Sequence, residues 1–125
     1  MITDVLATLA EAVDKDLPAG AGPDSFSFLP ALRGRTSQRA PIVMQSGSSG
    51  FMTIRSGRWK LIEGLGSGGF SQPARITAGP GEPAGQLYDL VADPAETTNR
   101  FVGEPGVVGR LRAELRRIVE AGHSR

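Results

Sequence analysis

Gly64, Gly66 and Gly69 are spaced G-x-G-x-x-G, the pattern by which a tight loop brings backbone N–H groups up to a pyrophosphate. That chemistry needs a strand before the loop and a helix starting within it, so that amides and helix dipole meet the anion. Residues 58–62, RWKLI, read as the strand. Beyond the glycines stand Ser71-Gln72-Pro73, then Gly79-Pro80-Gly81 and Pro83, which is loop chemistry. No acidic residue stands where a βαβ unit would hold a ribose. A nucleotide enzyme is the least favoured reading.

Other chemistry is scarcer still. The one histidine, His123, lies three residues from the end of the sequence and past a helix stop, a poor place for a general base. Without a competent histidine there is no Ser-His-Asp or Cys-His arrangement, and because cysteine is absent, disulfides, thiolate metal sites and a cysteine nucleophile are excluded as well. Asp89, Asp93 and Glu96 read as capping residues of a turn, and the D-x-[DN]-x-[DN]-G calcium loop is missing. Glu11 and Asp14 read as a solvated helix face. The expectation is no catalytic residue and no metal ligand set in this chain. Arg55 and Arg58 flank a hairpin turn and could meet an anion. Trp59 is expected to pack a strand face, Lys60 to point the other way into solvent unless the long loop covers it, and Tyr88 to lie in the core or at the sheet edge.

The elements that must position these groups emerge from periodicity. Residues 3–15 read as a helix capped by Thr3, with Val5, Leu6, Leu9 and Val13 on one stripe. Leu17-Pro18 ends it. A short turn capped by Asp24-Ser25 carries Phe26, Phe28, Leu29 and Leu32, with Gly34 as stop. Three strands then meander: residues 41–45, 51–55 and 58–63, joined by Gly47-Ser48-Ser49-Gly50 and by a tight Ser56-Gly57 turn. Residues 64–85 have neither period and form a long loop. Residues 86–90 return as a fourth strand. Glu104-Pro105 opens the last helix, on which Val107, Val108, Leu111, Leu115, Ile118 and Val119 recur at helical spacing until Gly122, with Arg110 and Glu114 on its wet face. Hairpin-joined strands give an antiparallel sheet, and the last helix is its obvious cover. The fold class is therefore α+β, a four-stranded antiparallel sheet under a C-terminal helix. Residues 1–35 form an N-terminal helix and linker segment, and 36–125 the α+β subdomain.

With 125 residues the chain suffices for one core, although glycine and proline make about a fifth of it. The formal charge of +1 gives no field that would draw nucleic acid or a membrane surface. No apolar run approaches a membrane span and the start lacks the pattern of a signal peptide, so a soluble chain is expected, its compartment undecided.

Three runs together resemble one family. FMTIRSGRWKLI, residues 51–62, is similar to the hairpin of type I, formylglycine-dependent sulfatases. GQLYDLVADPAETTN, residues 85–99, resembles their leucine-tyrosine-aspartate-leucine strand and Asp-Pro-x-Glu-x-x-Asn turn. Residues 3–34, with TDVLATLAEAV and DSFSFLPALRG, resemble the threonine-aspartate helix and the segment that precede them. GSGGFSQP, residues 66–73, matches a loop of arylsulfatase-like members. The resemblance is colinear and covers nearly the whole chain.

It implies the C-terminal portion of a sulfuric ester hydrolase, whose N-terminal helix packs in that family on a large catalytic domain. The family's Cys/Ser-x-Pro-x-Arg motif, which becomes formylglycine, does not occur here, and neither does its calcium ligand set. Both cofactors would belong to the absent N-terminal domain. The implied role is to help shape the substrate cleft without catalysing alone, and the implied partners are a sulfatase catalytic domain and a sulfate-ester substrate. Candidate rim residues are Gln45 and Ser46, where similar sequences often carry His-Ser, together with Arg55, Gly68, Gly69 and Phe70. Exposed apolar surface around Leu6, Leu9, Phe26 and Phe28 would drive association, including self-association. The alternative is a free-standing module that binds sulfated glycans through Arg55, Arg58 and Arg75, or a protein partner.

Overall fold

A computed structural model describes residues 1–36, 39–69 and 71–124. The chain divides into two compact units, one of Met1–Ala40 with Ala121–Arg125, the other of Pro41–Glu120.

The larger unit is an antiparallel meander, β1 (Ile42–Gln45), β2 (Met52–Ser56), β3 (Trp59–Ile62) and β4 (Gln86–Asp89), in the order β1-β2-β3-β4. Val43, Ile54, Leu61 and Leu87 share one cross-strand row because side chains alternate with period two. Against that row packs the long helix α3, Pro105–Ala121, through Val108, Leu111, Leu115 and Ile118. Ile54, Leu61, Leu87 and Leu111 are fully buried, each side chain adding about 1.5–3 kcal/mol by leaving water. The expected α+β layer is the observed one.

Three details differ from the sequence reading. The turn between β2 and β3 lies one residue later, at Gly57-Arg58, since Ser56 pairs with Trp59. Gly57 has φ +58° at the first of the two turn positions, which suits the twist of a two-residue hairpin. Val119 is exposed and outside the apolar stripe. Glu114 is half-buried rather than on the wet face, its Oε2 buried with no hydrogen-bond partner among the described residues.

The smaller unit inverts the usual helix rule. Thr3 is not a cap but lies in a 3-10 turn, Ile2–Asp4, and the helix α1 is the shorter Val5–Ala12. Asp4, only 2% exposed, accepts from the Phe26 amide at 3.1 Å, from the Met1 amine at 2.8 Å and from Arg39 Nε at 3.0 Å. Burial alone would raise its pKa, but these hydrogen bonds outweigh burial and hold the carboxyl below its usual range. The Thr8 hydroxyl donates to the Asp4 carbonyl and accepts from the Phe28 amide, while Ser25 Oγ accepts from the Ala7 amide. The polar side of α1 thus faces inward. Apolar residues of α1 and its two flanks, Ile2, Leu6, Leu9 and Val13, fall at i, i+4, i+7 and i+11 and are 88%, 49%, 61% and 65% exposed. A second short helix, α2 (Leu29–Leu32), ends at Gly34, where φ is +72°.

Candidate functional site

The sheet face opposite α3 carries two rows. One is Met44, Thr53, Ile62 and Gln86, and the next is Ile42, Arg55, Lys60 and Tyr88. Over the first row lies a cleft of about 530 Å³, walled by Ser46, Ser48 and Phe51 on one side and by Gly66, Ser67 and Gly68 on another. Lys60 reaches into it, its Nζ donating to both Glu96 oxygens at 2.7 Å. Glu96 holds a left-handed backbone, φ +56°, unusual for a residue other than glycine, asparagine or aspartate. The turn that presents it is fixed at both ends. Asp93 accepts from the Thr97 hydroxyl and the Thr98 amide, and Asn99 accepts from the Leu87 amide while donating to the Gly85 carbonyl. Asp93 therefore behaves as the capping residue its sequence suggests, and Asn99 covers the edge of β4.

Gln86 ties the long loop to the sheet. Its Nε2 donates to the carbonyls of Gly64 at 2.9 Å and Gly66 at 3.2 Å, and its Oε1 accepts from the Tyr88 hydroxyl at 2.7 Å. Burial, then the Glu96 and Asp93 charges, push the Tyr88 pKa up, which keeps the phenol a donor. The loop itself is ordered by an antiparallel bridge, Leu65 with Ile76. Its glycines now have a physical reason. A Cβ on Gly64 would stand 2.3 Å from the Phe51 ring, and one on Gly66, at φ +103°, 2.8 Å from the Ala74 carbonyl oxygen. One on Gly69, at φ +116°, would collide with Ser48 Oγ. The amides of Ser67 and Gly68 donate to the Pro73 and Ala74 carbonyls, and those of Gly69 and Ser71 to Ser67 Oγ. These N–H groups are spent inside the loop, so the G-x-G-x-x-G spacing serves packing.

Of the residues singled out from sequence, Ser46 and Gly68 meet directly, the Ser46 hydroxyl donating to the Gly68 carbonyl, which also accepts from Ser48 Oγ. Gly69 packs on Ser48 beside them. Gln45 lines the cleft edge, although alternation along β1 aligns it with Val43 and Met52 rather than with Met44. Arg55 is exposed on the neighbouring row, does not line the cleft and makes no ion pair among the described residues. Phe70 lies outside the described residues. Lys60, expected in solvent unless the long loop covers it, is half-buried beside a carboxylate, in the cleft that loop residues Gly66–Gly68 help to wall. Sequence reasoning passed over Thr53, Gln86 and the Lys60–Glu96 pair. Strand alternation could have found the first two, whereas the pair joins residues 36 apart and left no local signal.

Two of the three arginines proposed as glycan ligands are engaged. Arg58 forks onto Asp89, Nε to Oδ1 at 2.8 Å and Nη2 to Oδ2. Chiefly through that hydrogen bond, the buried Asp89 carboxyl is pulled down to about 2. Arg75 donates to the Ser49 carbonyl and lies over the Phe51 ring, 5.0 Å from its centroid. His123 is exposed, and among the described residues no three His, Asp or Glu side chains gather as a metal site would require.

No family model matches the chain. Among curated proteins it is 32% identical over 108 residues to the N-acetylgalactosamine-6-O-sulfatase of Bacteroides thetaiotaomicron, a match over 86% of this chain and 21% of that protein. Among solved structures it matches a sulfatase from work on the metabolism of multiple glycosaminoglycans by Bacteroides thetaiotaomicron. There the TM-score is 0.65 at 32% identity, over 98% of this chain and 24% of the other. The chain thus spans about a fifth to a quarter of the length of these relatives.

Proposed function

Since this chain belongs to the sulfatase family and corresponds to its C-terminal portion, we propose that it works as one wall of a substrate cleft whose reactive half is a separate catalytic domain. The formylglycine and calcium of sulfate-ester hydrolysis belong on that domain. Hydrolysis needs an attacking oxygen beside a divalent cation that spreads the developing charge. Alone, the chain turns over no sulfate ester. Its substrate is a sulfated amino-sugar glycan, by analogy with the relative's named activity. Gln45, Ser46, Gly68 and Gly69 border that substrate, and Arg55 stands further out.

The observation that carries this reading is the stripe of Ile2, Leu6, Leu9 and Val13, apolar and turned to water while Asp4 and Thr8 are buried beneath. A helix that spends its polar side on its own unit is built to bury its apolar side on another. We assign the catalytic domain as that other surface, because the relatives are about four times as long as this chain. The test is to mix the chain with the catalytic portion of the Bacteroides sulfatase stripped of its own C-terminal portion. A calorimetric titration is expected to show a one-to-one complex, weakened at least tenfold by Leu6→Asp with Leu9→Asp. Absence of a complex, or an undiminished one with the double variant, overturns the assignment.

A further inference from the structure

We infer that the cleft over Met44, Thr53 and Ile62 is a subsite for an uncharged sugar ring of the glycan, and not for its sulfate or a uronate; this rests on the proposed glycan-binding role. Its volume of about 530 Å³ lies within the roughly 300–1,000 Å³ of small-ligand pockets. A pyranose ring has apolar C–H faces and a hydroxyl rim. The cleft offers both kinds of surface, apolar from Met44, Ile62 and Phe51 and polar from Ser48, Thr53, Lys60 and Glu96.

The polar groups offer donors and acceptors in a set without net charge. The Thr53 hydroxyl makes no hydrogen bond among the described residues. Ser48 Oγ donates to the Gly68 carbonyl and keeps its lone pairs. Lys60 has a third N–H beyond the two that Glu96 takes, and Glu96 retains acceptor capacity. Among the described residues Lys60 is the only cation lining the cleft, and it is already neutralised. A sulfate or carboxylate arriving there meets the Glu96 carboxylate at once. Displacing it would strand a half-buried anion, which is costly. A hydroxyl can join the pair without breaking it.

The test is an NMR titration of the whole chain with N-acetylgalactosamine and, separately, its 6-sulfate. The uncharged sugar is expected to give saturable shifts at the amides of Thr53, Ile62 and Gly66–Gly68, in the millimolar range of a few contacts. The sulfate ester should bind there severalfold more weakly. Thr53→Val should weaken the uncharged sugar severalfold. Glu96→Gln, which leaves Lys60 charged and unopposed, should reverse the preference towards the sulfate ester. The subsite is overturned if the 6-sulfate binds better to the unaltered chain, or if those amides stay still at about 100 mM sugar, some hundredfold beyond a 1 mM dissociation constant. It is equally overturned if Thr53→Val binds unchanged. Complex formation with the catalytic portion, measured separately, distinguishes failure of the subsite from failure of the proposed function.

Discussion

At the residue scale the molecule shows how much work its polar side chains do in holding backbone. Gln86 binds two loop carbonyls, Asn99 binds one strand edge, and Asp89 binds Arg58 and the amides of Val91 and Ala92. The Asp89 pair sets an acid limit. Its folded pKa of about 2 is below the usual value of 3.8, so its stabilisation is present in full above about pH 4 and is lost as pH falls towards 2. Asp89→Asn should flatten the pH dependence of the denaturation midpoint between about 4 and 2, and an unchanged slope would assign the acid sensitivity elsewhere. The glycines separate into two kinds. Gly66→Ala forces a side chain into left-handed backbone against the Ala74 carbonyl and should cost about 1–3 kcal/mol. We expect this as faster hydrogen exchange in residues 64–76 with the sheet unaffected. Gly109 sits in α3 with open space around it, and Gly109→Ala should stabilise by about 0.5–1 kcal/mol in urea unfolding.

At the element scale the sheet and α3 were legible and their chemistry was not. Alternation in residues 51–62 and the 3.6-residue recurrence from Val107 to Ile118 each encode one buried face, and both faces meet in one core. Leu111→Ala should therefore cost about 2–5 kcal/mol, seen as a drop in urea midpoint with unchanged slope. The stripe on α1 was equally legible as a stripe, and its outward direction followed from the family resemblance rather than from periodicity; Phe26 and Phe28, expected in water beside Leu6 and Leu9, are half-buried instead. Periodicity says that a helix has an apolar side, not which body covers it. Ionic and hydrogen-bonded partners distant in sequence, such as Lys60 with Glu96 and Glu63 with Arg112 at 2.7 Å, lie beyond local patterning altogether. The glycine spacing misleads for a related reason. The same pattern serves close backbone packing and anion binding, and only the direction of the N–H groups separates them.

At the scale of the whole molecule, the family relationship and the outward stripe of α1 point the same way. The chain builds a complete sheet core and still leaves Ile2, Leu6, Leu9 and Val13 in water. Leu6→Asp with Leu9→Asp should leave its thermal midpoint within a few degrees of the parent, since those side chains add little to its own core. Binding the catalytic portion should raise that midpoint as partner concentration rises, because a partner that binds only the folded state stabilises it. A midpoint indifferent to partner would speak against a shared interface.

Whether this chain completes a sulfatase without catalysing by itself is decided by sulfate release from 6-sulfated N-acetylgalactosamine in the presence of calcium. Release should be measured for this chain alone, for the catalytic portion of the Bacteroides sulfatase stripped of its C-terminal portion, and for the two together. We predict no release by the chain alone and a rate for the mixture at least tenfold above that of the catalytic portion. Release by the chain alone, or a mixture no faster than the catalytic portion, would refute the proposed role.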